Sequence, residues 1–96
     1  MPERKAVVAS ASGLHARPAA LFAEAAAALD VEVTIAMDGS PEEEAMDASS
    51  ILSLMTLGAR NGDTVTLRAE GPGANEALET LCVLIETDLE TGSLHP

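Results

Sequence analysis

The sequence predicts an α+β sandwich in which helices lie on one face of a β-sheet. Segments with a period of two, typical of half-buried strands, alternate with segments in which apolar residues recur every three or four positions, as on helices. These elements follow the order β-α-β-β-α-β-α, which favours antiparallel strands with the helices packed on one side. The 96 residues, 47% of them apolar, suffice for a single domain with a modest core. We expect that domain to span residues 1–96, with an ordered core of about 3–90 and a mobile tail over 91–96.

The first half of the chain supplies a strand, a helix and a second strand. Lys5 to Ala9 is a short strand with two β-branched valines. A helix runs from Ala16 to about Leu29, because its apolar residues fall on one face. Alternating apolar and polar residues from Val31 to Met37 predict a half-buried strand, and Asp38-Gly39 predicts a turn.

The middle of the chain is acidic and then strongly apolar. We interpret the stretch from Ser40 to Asp47 as an acidic hairpin tip that leads into a short edge strand, Glu44 to Met46. A short helix follows over Ile51 to Leu57, with Ser49 and Ser50 as N-cap candidates and Gly58 at its end. This helix is apolar nearly all round, so some of its side chains must be exposed or must meet a partner.

The last third predicts a turn, a strand and an amphipathic helix. Asn61-Gly62 is the turn, and Val65 to Arg68 lies in the most regularly alternating strand. Gly71-Pro72-Gly73 ends that strand, and the helix runs from about Ala74 to Leu89.

Composition excludes several classes of protein. A net charge of −11 argues against binding to nucleic acid or to anionic membranes. There is no apolar run of membrane-spanning length and no basic-then-apolar start, so we expect a cytoplasmic protein. The single cysteine, Cys82, excludes an internal disulfide and is expected to be a buried, inert thiol. Cys82, His15 and His95 are too widely spaced for a zinc site, and we expect no metal and no cofactor.

The candidate functional residues lie where the first helix begins. Pro18 suits the first helical turn, which places His15 at or next to the N-cap, beside outward-pointing N–H groups and a partial positive charge. Between Lys5 and Arg60 the only cation is Arg17. A helix N-terminus with an arginine favours an anion, most naturally a phosphate.

An imidazole in that position could hold a phosphoryl group itself. The ring must be neutral to act as a nucleophile, and nearby positive charge lowers its pKa from about 6.5. Ser12 and the helix start at Ala16 would help to bind the phosphate. The simpler interpretation makes His15 a capping residue without chemistry, and Ser12 an ordinary turn former.

Two blocks of sequence resemble HPr, the histidine-containing phosphocarrier protein of the sugar phosphotransferase system. The first runs from Gly13 to Ala19 (GLHARPA) and the second from Ser50 to Ala59 (SILSLMTLGA). With the element order, the resemblance covers roughly Lys5 to Leu89. It implies a four-stranded antiparallel sheet of order 1-4-2-3 with three helices on one face.

The resemblance also implies a function and its residues. His15 would accept a phosphoryl group on Nδ1 from phosphorylated enzyme I and pass it to the enzyme IIA component of a sugar permease. Arg17 would stabilise the phosphohistidine. The apolar residues Ile51, Leu52 and Met55 would form a docking patch for these partners. The protein would be a monomeric carrier, not an enzyme.

Three departures from the family pattern concern regulation and docking. Ser50 matches a serine that a dedicated kinase phosphorylates in some members, but it follows Ser49 where those members carry a lysine. The segment 40–47 is longer and more acidic than usual. Glu24 and Ser53 replace lysines near the docking face, so apolar contact or basic partner surfaces would have to compensate.

Two other functions remain open at this point. The same surface would serve a regulatory module that binds enzymes or transcription regulators without passing phosphate to sugars. A less favoured alternative is an acylphosphatase-like hydrolase that uses Arg17 as a phosphate clamp, although no asparagine is placed near the loop to support it.

Overall fold

The computed structural model of the chain describes residues 2–9, 13–14 and 16–87. Within them the elements follow the predicted order, with one additional 3-10 turn between the second and third strands. They are β1 (Glu3–Val7), α1 (Ala16–Ala27), β2 (Val33–Met37), the 3-10 turn (Glu42–Glu44), β3 (Met46–Asp47), α2 (Ile51–Leu57), β4 (Thr64–Ala69) and α3 (Ala74–Ile85).

The four strands form one antiparallel sheet in the order β1-β4-β2-β3, as the family resemblance implied. Successive side chains along a strand point to opposite faces. One face of β4 therefore carries Val65, Leu67 and Ala69, which are buried beneath the helices. The opposite face carries alternating residues such as Thr64 and Arg68, and we call it the open face.

The core between sheet and helices is aliphatic around a single aromatic ring. Phe22 of α1 and Leu54 of α2 are fully buried, as are Leu78 and Leu81 of α3. Each helix thus presents an apolar stripe to the sheet and keeps its other residues outside. None of the helices in the described part of the chain is long and apolar enough to cross a membrane.

β1 begins two residues earlier than the sequence predicted, at Glu3 instead of Lys5. Glu3 pairs with Arg68 of β4 in the ladder, and Arg68 Nε donates to Glu3 Oε1 at 3.1 Å. The strand also ends earlier, because Val8 and Ala9 donate their N–H groups outside the ladder, to the Asp63 and Ile85 carbonyls. The predicted boundaries were wrong because long-range pairing sets them.

The predicted edge strand over Glu44 to Met46 was also wrong. A 3-10 turn occupies Glu42–Glu44, and β3 covers only Met46–Asp47, paired with β2. Pro41 has a fixed φ that suits the start of such a turn, and its carbonyl accepts the Glu44 N–H at 3.0 Å. Consecutive glutamates are poor strand formers, so the turn is the better solution for them.

The ends of three other elements differ slightly from prediction. α1 ends at Ala27, not Leu29, because the Leu29 N–H bonds to the carbonyl of Ala26 in a tighter turn. β2 begins at Val33, not Val31. α3 ends at Ile85, with Glu86 as its C-cap, and not at Leu89. The predicted mobile tail 91–96 and His95 lie outside the described residues.

Candidate functional site

The start of α1 frames the position that the sequence singled out. His15 and Ser12 themselves lie outside the described residues, but Leu14 and the backbone of Ala16 on either side of residue 15 are described. The helix begins at Ala16 as predicted, and Pro18 is fully buried in its first turn. Residue 15 is therefore joined directly to the N-terminal end of a twelve-residue helix.

The helix start is electropositive. The first N–H groups of an α-helix have no partner within the helix, and they carry the positive end of its dipole. No acidic residue lies in the first turn of α1 to neutralise it. Arg17, exposed in that turn, adds a full positive charge. This arrangement favours an anion beside residue 15.

We call residues 8–15, which join β1 to α1, the site loop. The end of this loop that precedes residue 15 is fixed to the loop between α2 and β4. Leu14 is buried in the core, and its N–H donates to the Ala59 carbonyl at 3.0 Å. Gly13 has φ of +76° and lies against the same backbone. A Cβ placed on Gly13 would overlap the Ala59 carbonyl oxygen and lie 2.8 Å from Cα of Arg60. Only glycine fits this position without strain.

The same loop also fixes the chain on the other side of the undescribed residues 10–12. Asn61 Nδ2 donates to the Ala9 carbonyl at 3.1 Å, and the Gly62 N–H donates to the Val8 carbonyl at 2.9 Å. The sequence predicted only a turn at Asn61-Gly62. A turn signal is local, so it could not show that residues 59–63 hold both ends of the site loop.

The predicted docking residues lie on the outer side of α2. Leu52 is 75% exposed and Ile51 and Met55 are each more than two-fifths exposed, whereas Leu54 on the inner side is fully buried. α1 packs beside α2, and its Leu21 is 40% exposed. Leu21 was missed by the sequence analysis, although it lies one turn after Arg17 on the same outward side of α1. We call these four exposed side chains the apolar patch.

Of the two N-cap candidates, Ser49 and Ser50, the structure has Ser50 as the N-cap of α2. Its backbone is extended, and its Oγ accepts the Ser53 N–H at 3.2 Å. Just before it, Asp47 Oδ1 accepts hydrogen bonds from Ser49 Oγ at 2.7 Å and from the Ser49 N–H at 2.9 Å. These bonds lower the pKa of the Asp47 carboxyl and keep it ionised. A phosphate on Ser50 would lie at a helix N-terminus, which favours negative charge, but also next to this acidic turn, which disfavours it.

Cys82, which the sequence predicted to be a buried and inert thiol, lies on the buried side of α3. Burial raises the pKa of its thiol, and the negative charge of Glu86 raises it further, while Arg4 acts weakly in the opposite direction. A thiol in this setting is unreactive, in agreement with the sequence analysis. Within residues 2–9, 13–14 and 16–87, no cluster of histidine, cysteine or carboxylate side chains is arranged to hold a metal.

Comparison with known proteins decides the family. A family model described as "PTS HPr component phosphorylation site" matches residues 2–87. The chain belongs to the HPr family. Phosphocarrier protein HPr of Streptomyces coelicolor is 46% identical over 91 residues, which cover 94% of both chains. Phosphocarrier protein HPr of Vibrio cholerae is 40% identical over 86 residues, covering 90% of this chain and 96% of that one.

Solved HPr structures share the fold as well as the sequence. An HPr from Thermoanaerobacter tengcongensis superposes with a TM-score of 0.78 and is 37% identical, covering 90% of this chain and 92% of that one. The sheet order and helix placement described above are thus those of HPr. The first block of the sequence resemblance, GLHARPA, lies within the segment that the family model matches.

Proposed function

We propose that this HPr-family chain is a cytoplasmic phosphocarrier that accepts a phosphoryl group on His15 from phosphorylated enzyme I. His15 then passes the group to the enzyme IIA component of a sugar permease. One observation carries the proposal: α1 begins at Ala16, directly after His15, with Arg17 exposed in its first turn and no acid beside it. Ser12 and the Ala16 N–H are assigned to the same phosphate site.

The transfer needs no cofactor and no additional reactant. The lone pair of neutral His15 Nδ1 forms the new bond to phosphorus, and the bond between phosphorus and its donor atom on enzyme I breaks. The electron pair of that bond stays on the donor atom, and the second transfer repeats the step toward enzyme IIA. Phosphoryl transfer requires mainly positioning and charge stabilisation, which a helix N-terminus and a guanidinium can supply.

The proposal is tested by incubating the full chain with phosphoenolpyruvate and the enzyme I encoded in the same genome. We expect one phosphoryl group per chain, labile in acid and stable in base, and its loss when the matching enzyme IIA is added. Labelling without transfer to any enzyme IIA would favour the regulatory alternative. Turnover of acetyl phosphate without labelling would favour the hydrolase.

The apolar patch is assigned to partner docking. Its side chains lie outside the core, on the two helices that are nearest to the site by sequence and packing. A cluster of exposed apolar side chains is typical of protein–protein contacts, whose centres are apolar and poor in charge. Glu24 is exposed on α1, the helix that also carries Leu21 of the apolar patch. A partner that docks here should therefore carry neutral or basic groups around its apolar surface.

Replacing Leu52 by serine should raise the KM for phospho-enzyme I by about tenfold, because the complex would lose one buried leucine side chain. The free energy of unfolding should hardly change, since Leu52 is 75% exposed. Val83→Ser is the matched control, because Val83 is 62% exposed on α3, outside the patch. Equal KM values for the two variants, measured by steady-state phosphotransfer, would show that Leu52 does not dock.

A further inference from the structure

A cleft with mainly apolar walls lies between the 3-10 turn and the end of α2. Its volume is about 360 Å³. The walls are buried and half-buried apolar residues of β2, β3 and α2, namely Ala36, Met37, Met46 and Leu57. Three polar residues complete the lining, namely Ser40, Glu44 and Thr56. We call this the α2 cleft. Because methionine side chains are flexible and polarisable, its walls can adapt to the group that packs on them.

The α2 cleft adjoins the apolar patch. Thr56 lines the cleft and follows Leu52 of the patch by four residues, which places both side chains on the same side of α2. Both are exposed, and Thr56 Oγ1 donates to the Leu52 carbonyl at 2.8 Å. A protein that docks on the apolar patch would therefore lie beside the cleft.

Two of the three polar side chains in the cleft are arranged to accept hydrogen bonds. Thr56 uses its hydroxyl proton on the Leu52 carbonyl, which leaves only the lone pairs of its oxygen for a ligand. The carboxylate of Glu44 is an acceptor, is exposed, and takes part in no salt bridge with the other described side chains. The sequence has no lysine, arginine or histidine between residues 38 and 57, so no neighbouring cation competes for this carboxylate.

Apolar walls below acceptor groups suit a long basic side chain. Lysine and arginine bury an apolar stem against apolar surface while the charged end stays at polar groups or water. We propose that the α2 cleft binds a lysine or arginine side chain of the protein that docks on the apolar patch. The stem would pack on Met37 and Met46, and the charged end would lie beside Glu44 in a charge-assisted hydrogen bond. This inference rests on the proposed docking of enzyme I.

The inference gives the acidic 3-10 turn a part in the choice of partner. A partner with a basic side chain at this position would be attracted, and one with an acidic side chain would be repelled by Glu44. The apolar patch alone cannot make that distinction, because Leu21, Ile51, Leu52 and Met55 carry no charge. The cleft would thus add selectivity to the affinity that the patch supplies.

Two charge reversals in the same turn test the inference. Isothermal titration calorimetry measures the Kd of the full chain for the enzyme I encoded in the same genome, so the result does not depend on phosphoryl transfer. Glu44→Lys should raise the Kd about tenfold, because like charges replace an attractive pair. Glu43→Lys is the matched control, since it makes the same change of charge at the adjacent exposed residue, which does not line the cleft. It should raise the Kd about twofold at most.

A third variant tests the cleft without changing the charge. Ser40→Leu places a larger side chain in the lining, and it should raise the Kd about threefold or more, because the partner side chain loses its space. Circular dichroism confirms folding, and Glu44→Gln replaces the lysine variant if that variant does not fold, with an expected rise of about threefold.

The inference is overturned if Glu44→Lys binds as well as Glu43→Lys, because the net charge of the turn would then explain the whole effect. An unchanged Kd for Ser40→Leu would overturn it as well. Either result, with normal binding and labelling of wild type, would leave the phosphocarrier function intact. If wild type does not bind enzyme I, the proposed docking itself fails, and the inference fails with it.

Discussion

The His15→Ala variant is expected to accept no phosphoryl group from phosphoenolpyruvate and enzyme I, while keeping its fold and its affinity for enzyme I. The chain then lacks the nitrogen that forms the bond to phosphorus, and neither Ser12 nor Arg17 can replace it as a nucleophile at neutral pH. Intact mass spectrometry after incubation measures the label, and inhibition of wild-type labelling by the variant measures the retained docking.

His95→Ala supplies the control for this experiment, because it removes the other histidine of the chain. It should be labelled at the wild-type rate. If His15→Ala still accepts an acid-labile phosphoryl group, or if His95→Ala loses it, then the assignment of the phosphorylation site to His15 is wrong. A circular dichroism spectrum equal to that of wild type would show that the loss of label is chemical.

The sequence predicted best those parts of the fold that depend on neighbouring residues. The end of α2 at Gly58 and the start of α1 at Ala16 follow from local backbone chemistry, and the structure has them at those positions. The N-cap of α2 is Ser50, one of the two adjacent serines that the sequence offered. The limits of β1 and β3 were wrong, because a strand extends as far as its partner allows. Glu3 belongs to β1 because Arg68 lies opposite it.

The candidate site likewise combines features that depend on neighbouring residues with features that depend on tertiary contacts. The helix start and Arg17 are adjacent to His15 in the sequence, so a local pattern was enough to find them. The loop 59–63 contributes through tertiary contacts, including the hydrogen bond from Asn61 to the Ala9 carbonyl across 52 residues. A single sequence contains no signal for such a contact beyond the glycine at position 13.

Gly13→Ala tests how strongly the site loop depends on its contact with the α2–β4 loop. The substitution should lower the free energy of unfolding by about 2–4 kcal/mol, from left-handed backbone strain together with the overlap on Ala59 and Arg60. Either the backbone of Gly13 or that of Ala59 and Arg60 would have to shift to relieve that overlap. We therefore expect slower phosphorylation as well as a lower midpoint of urea unfolding.

Gly39→Ala separates the two causes. Gly39 has φ of +90°, but a Cβ there would meet nothing within 4 Å, so alanine adds backbone strain without an overlap. The substitution should lower the free energy of unfolding by about 1 kcal/mol or somewhat more, and it should leave the rate of phosphorylation unchanged. The difference between the stability losses of the two variants then measures the energetic effect of the overlap between Gly13 and the backbone of Ala59 and Arg60. Equal losses of stability would mean that the site loop can move away from Ala59 at little cost, and that the Leu14 hydrogen bond does not fix it.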